Sequence, residues 1–151
     1  MQVDQNIDDQ THSYWQSYVD AMKDELGLKD WVVELQRTAP HDDSKIASIG
    51  VFYGQRRARM YIDFPTFMAQ TPWTRKVTIV HELLHCHVDH LDEFVRDFCN
   101  ANEEGTAHQF FYTRYCRESE ALVETMSQVV GAWMPDFELS LGDPPTNSMG
   151  Y

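Results

Sequence analysis

Five consecutive residues, His81-Glu82-Leu83-Leu84-His85, carry the groups most able to do chemistry in this chain. They read H-E-x-x-H. On a helix, positions i and i+4 share one face a turn apart, so the two imidazoles can address one ion. A helical turn is about 5.4 Å and Zn–N bonds are about 2.0–2.1 Å, which makes this spacing suited to a zinc site. In that chemistry His81 and His85 hold Zn²⁺, and Glu82 acts as general base on the metal-activated water. The same pattern also fits an ordinary amphipathic helix with two surface histidines, so its surroundings decide.

A catalytic zinc needs a third protein ligand and one open position. The H-x-x-G-x-x-H continuation fails, because Val88 and Leu91 stand where Gly and His would be. His90 is one residue short, and His87 lies about 200° round the helix from His85. The better candidate is Glu120, within Glu120-Ala121-Leu122-Val123-Glu124. In this E-x-x-x-E one carboxylate can bind metal while Glu124, one turn on, accepts the free N–H of a ligand imidazole. Glu118 and His108 compete for the third place. Glu118 is about 200° from Glu120, so the two cannot serve one site together. Cys86 and Cys116 lack C-x-x-C partners and are expected in the core.

Elements must position these groups. Thr71-Pro72 supplies an N-cap with proline at the first helical position, and Val77, Val80, Leu84, Val88 and Leu91 recur at helical steps, so a helix is expected from about Pro72 to Asp89. Before it, His12 to Leu28 reads as an amphipathic helix stopped near Gly27. Trp31 to Gln36 alternates as a strand. Ile46–Tyr53 and Ala58–Phe64 read as a hairpin joined by Gly54-Gln55-Arg56-Arg57 and ended by Pro65, with Met60, Ile62 and Phe64 on one face. Leu91–Cys99 is a second short helix or a continuation of the first, and Asn100–Gly105 a polar break. Ala107–Trp133 forms a long helix with Phe111, Tyr115, Leu122, Met126, Val129, Val130 and Trp133 near one apolar face. Residues 1–11 and 135–151 read as loose tails around a single domain.

The expected class is α+β. It has an N-terminal helix, a small three-stranded, mainly antiparallel sheet, the H-E-x-x-H helix and a long C-terminal helix. An edge strand beside the metal cleft would suit an extended peptide bound by strand addition.

Composition bounds the function classes. The chain has 151 residues, 42% of them hydrophobic, which fits one globular core. There are 24 Asp and Glu against 12 Lys and Arg, a net charge of −12, so no nucleic-acid partner is expected. The basic cluster Arg56-Arg57 with Arg59 reads as a solvated turn. No apolar run is long enough for a membrane span. Three cysteines without framework spacing suggest reduced thiols and a cytoplasmic location.

At Val80-His81-Glu82-Leu83-Leu84-His85 and Glu120-Ala121-Leu122-Val123-Glu124 the chain resembles small gluzincin-type zinc metallopeptidases. More narrowly, it is similar to the minigluzincin-like, zincin-fold proteins of phages and prophages. Gluzincins of the thermolysin type follow H-E-x-x-H with E-x-x-x-D; here the last acid is Glu124. The resemblance covers roughly residues 46–130. It implies a zinc site, a compact zincin-like fold and cleavage of a peptide or protein substrate. A fainter similarity, at Ala107-His108-Gln109-Phe110-Phe111, is to the Spartan-like DNA–protein crosslink proteases; the acidic charge opposes it. The competing class is a non-catalytic, zinc-stabilised protein-binding module, with His108, Cys116 or His90 closing the site as a fourth ligand. A third reading is an acidic decoy that engages a basic partner by charge alone.

Overall fold

The computed structural model of the protein describes residues 4–101 and 106–145. Helix α1, Asp9–Glu25, turns Trp15, Tyr18, Val19 and Met22 inward at helical spacing. Asp8 caps it by accepting from the Thr11 N–H at 2.7 Å. Its far end closes as a Schellman turn: the Leu28 N–H donates to Lys23 O at 2.8 Å and the Gly27 N–H to Asp24 O at 3.2 Å. That turn needs a left-handed residue, and Gly27 supplies it with φ +76°.

Strands β1 (Val32–Leu35), β2 (Ala47–Phe52) and β3 (Arg57–Ile62) form one sheet in the order β1-β3-β2. The hairpin β2–β3 is antiparallel, with Ile49 opposite Met60. β1 runs parallel to β3, with Leu35 opposite Met60. The sheet is therefore mixed and not mainly antiparallel. The connection 36–46 carries the chain past β3 to the far edge, so β3 returns beside β1 in the same direction. α1 covers β1's outer edge: Gln16 donates to Val33 O at 2.9 Å and accepts from the Leu35 N–H at 2.8 Å. This blunts one sheet edge and leaves β2 as the edge strand on the other side. Arg56 and Arg57 behave as a solvated turn, reaching Asp30 at 3.3 Å and Glu34 at 3.1 Å.

The hairpin ends at Ile62, before Pro65, and Pro65 lies in the first turn of a short helix, α2 (Phe64–Met68), that follows it. Proline fits there because the first helical turn has no use for its missing N–H. Helix α3 spans Pro72–His87, capped by Thr71, and α4 follows as a separate helix, Asp89–Ala101. Ile79, Val80, Leu83 and Cys86 of α3 join Trp15, Met60, Ile62, Phe64 and Phe67 in the core. The Trp15 and Phe67 rings meet edge to face at 4.9 Å. Each such buried side chain contributes about 1.5–3 kcal/mol.

Helix α5, Thr106–Trp133, is 28 residues long, about 42 Å. Its buried residues are Val123, Ser127 and Gly131. Most of the expected apolar stripe is on the outside: Phe111, Leu122, Met126, Val129 and Trp133 are exposed, whereas Tyr115 is partly buried and Val130 packs against the core. Small residues face inward because α3 approaches closely; a Cβ on Gly131 would lie 3.2 Å from Val77 Cγ2. α4 packs antiparallel on the N-terminal half of α5, with the Tyr115 hydroxyl donating to Asp92 at 2.7 Å and the Phe98 and Phe111 rings 6.4 Å apart.

Both supposed tails are built into the fold where they are described. Ile7 is buried, and Gln5 donates to Ile62 O at 2.7 Å and accepts from the Phe64 N–H at 2.9 Å. After α5, helix α6 (Phe137–Leu141) packs on α1, with Phe137 against Tyr18, and its entry lies beside the first turns of α3. There the buried Lys76 reaches Asp136 and Met134 O at 2.8 and 2.7 Å, and the buried Arg75 pairs with Glu138 at 2.8 Å. Their mostly polar sequence hides the few apolar residues, Ile7, Met134 and Phe137, that dock on the core beside these ion pairs and hydrogen bonds. Asn100, expected in a polar break, is still helical, in α4. Positions 1–3, 102–105 and 146–151 lie outside the described residues. No helix among the described residues is long and apolar enough to cross a membrane.

Candidate metal centre

α3 has an inward face and a face turned to α5, and the motif is split between them. Leu83 and Cys86 go to the core, while His81 and His85 look toward α5 from half-buried positions. Glu82 is 8% exposed and reaches the cleft floor. Across from them, Glu120 and Glu124 stand on consecutive turns of α5, on the side that also carries the buried Val123 and Ser127.

The donor atoms converge. His81 Nε2 is 2.8 Å from Glu120 Oε1, His85 Nε2 is 3.3 Å from Glu120 Oε2, and the two Nε2 atoms are 3.3 Å apart. One ligand atom from each of the three residues falls within 4.8 Å of the others. Ligands held about 2.0–2.1 Å from a tetrahedral ion are themselves about 3.3 Å apart, so the donor set fits zinc. On the other side of its ring, His81 Nδ1 is 2.9 Å from Glu124 Oε2. A carboxylate there can accept an Nδ1 proton, which would leave the Nε2 lone pair to an ion held in the donor cluster.

The remaining titrating groups are shaped by burial. Burial raises the Glu82 carboxyl to about 7, helped by the charge of Glu120 and opposed by His81 and Lys45. Burial also pulls the His85 imidazole below its ordinary value, against Glu120.

The cleft above these groups is about 510 Å³. One wall is β2 with the residues leading into it, including Lys45, Ala47, Ile49 and Val51; the other is formed by α3 and α5. An edge strand thus borders the donor cluster, as expected. Lys45 escaped the sequence reading. It is the one Lys or Arg lining the cleft among the described residues, yet a single lysine in a turn gives no signal in a sequence.

The competing candidates are elsewhere. Glu118 is exposed and pairs with Arg114 at 2.9 Å on the outside of α5. His108 stacks near Phe98, with centroids 6.1 Å apart. His87 and His90 are exposed. Cys86 is buried as expected, but Cys116 is exposed and does not belong to the core; it faces a smaller cavity beside the centre, lined also by Tyr53, Tyr112, His85 and Glu120. Among the described residues, no fourth His, Cys, Asp or Glu joins the donor group.

Comparison with known protein families, curated proteins and solved structures finds no match to the chain.

Proposed function

We propose that the protein is a zinc-dependent hydrolase, a gluzincin-type metallopeptidase acting on a peptide or protein substrate. One observation carries the reading. His81, His85 and Glu120 present converging donor atoms, Glu124 backs the His81 ring, and Glu82 lies buried beside them at the cleft. Zinc in that cluster would polarise the scissile carbonyl and acidify a water toward a pKa of about 7. Glu82 takes the proton of the attacking water and passes it to the leaving nitrogen. Its buried position at the cleft, on the same helix as the two imidazoles, places it to accept and return that proton. Glu124 holds the His81 ring in one tautomer through the cycle. The substrate lies extended beside β2, which offers backbone groups along the cleft wall.

The three-residue donor group favours this over a closed structural zinc site, which takes four protein ligands. It also separates the chain from the Spartan-like reading, since His108 sits against Phe98 on the α4 side. The deciding experiment is elemental analysis of the purified protein beside cleavage of a broad peptide library, with and without chelator. About one zinc per chain and chelator-sensitive cleavage support the reading. Bound zinc with no cleavage transfers it to the non-catalytic module.

A further inference from the structure

The outer face of α5 is the surface whose composition is hardest to reconcile with solvent. Leu122, Met126, Val129 and Trp133 are 57%, 42%, 54% and 85% exposed. None of them lines the cleft. Their spacing, four, three and four residues, is that of a coiled-coil seam. On the N-terminal half of α5 the same stripe is already a packing surface, since Tyr115 and Phe111 receive α4 there.

We infer that two copies of the chain associate across a two-fold axis by pairing the C-terminal halves of α5 in antiparallel fashion. The seam is self-complementary in that arrangement. About an axis midway between Met126 and Val129, Trp133 meets Leu122 and Met126 meets Val129, a large side chain against a smaller one at the ends.

Area and charge both favour a second copy. With roughly 200 Å² per side chain, the four residues expose about 500 Å². That is the apolar share of an interface of about 800 Å² per partner. Between Leu122 and Trp133 the flanking outward positions are Ala121, Thr125 and Ala132, which carry no charge, and Glu118, one turn before Leu122, is paired with Arg114 at 2.9 Å. A chain of net charge −12 would resist its own copy almost anywhere else. Along this strip two copies approach without facing carboxylates. A basic partner, by contrast, would find beside the strip only the carboxylate of Glu118, already paired with Arg114, among the described residues of α5.

The test is sedimentation velocity of the full chain from about 1 to about 100 µM, at low and high salt. The expected result is a concentration-dependent dimer that salt leaves unchanged or strengthens. Trp133→Glu and Val129→Glu place a carboxylate on the seam at exposed positions. Each should weaken dimerisation at least about 100-fold, with circular dichroism and zinc content unchanged. A wild-type monomer at every concentration overturns the inference, as does a dimer that survives both substitutions or dissolves in salt. A monomer that co-sediments with phosphatidylcholine vesicles overturns it too, and assigns the strip to lipid. None of these outcomes depends on whether the metal centre cleaves peptides.

Discussion

Glu124 Oε2 lies 2.9 Å from His81 Nδ1, on the ring nitrogen opposite the one that faces Glu120. The pair divides the imidazole into an anchored side and a donor side. Glu124→Ala should therefore lower zinc affinity or activity by about 10–100-fold without abolishing binding. Glu124→Gln should fall between it and wild type, since an amide oxygen still accepts the Nδ1 proton. Competition with a chromophoric chelator measures both.

The third ligand separates two neighbouring acids on one helix. Glu120→Ala should reduce zinc affinity well beyond about 100-fold, more than loss of a supporting partner does. Glu118→Ala should leave it unchanged, because Glu118 is turned to the outside of α5, where it pairs with Arg114. The reverse order in the same titration would move the centre elsewhere.

Glu82→Gln should retain zinc while hydrolysis falls by about 10²–10⁴-fold, the usual worth of a positioned acid–base group. The same substitution has a second readout in the metal-free protein. The folded carboxyl titrates near 7 against 4.5 for the free group, so it binds more protons folded than unfolded between those values. Its contribution to stability is full below pH 4.5 and is lost as pH rises through 7, about 3 kcal/mol in all. Gln cannot ionise. The variant should outlast wild type in urea at pH 8 and match it near pH 4. Equal midpoints at both pH values would show that Glu82 is not held protonated.

Gly131→Leu should destabilise by about 1–3 kcal/mol, because the new side chain meets Val77 and Trp73 where α3 and α5 touch. Since the same two helices carry the donors, zinc affinity should fall with it. An unchanged affinity in the destabilised variant would show that the junction and the site are uncoupled.

Iodoacetamide in the native state should label Cys116 well before Cys86. Cys116 is exposed, whereas Cys86 is buried and burial pushes its thiol up to about 12. Peptide mass mapping after short exposure reads the order.

What sequence reveals here is what is local. The Thr71-Pro72 cap, the i, i+4 histidines and the one-turn spacing of Glu120 and Glu124 each depend on a few adjacent positions, and the structure brings those residues together. The β2–β3 hairpin is local as well. The direction of β1 is not, since it depends on where the connection 36–46 takes the chain. The orientation of α5 is hidden for a different reason. Periodicity finds an apolar face but not which neighbour it meets, and here close packing on α3 selects Val123, Ser127 and Gly131 instead. The buried Lys76 and Arg75 were hidden because their partners, Asp136 and Glu138, come some sixty residues later.

As a polymer, the chain meets itself at the donor cluster only after a long excursion: Glu120 is 39 residues beyond His81. His81 and His85 are neighbours in any helical fragment, but Glu120 arrives only when α5 has docked. An ion shared by all three is a cross-link closing that loop, and it removes loop entropy from the unfolded chain much as a disulfide does. Three unpaired thiols provide no such bond in this protein. Zinc would then be a reversible staple, and its loss would loosen the α3–α5 junction before the sheet and α1, which hold together through Trp15 and its neighbours.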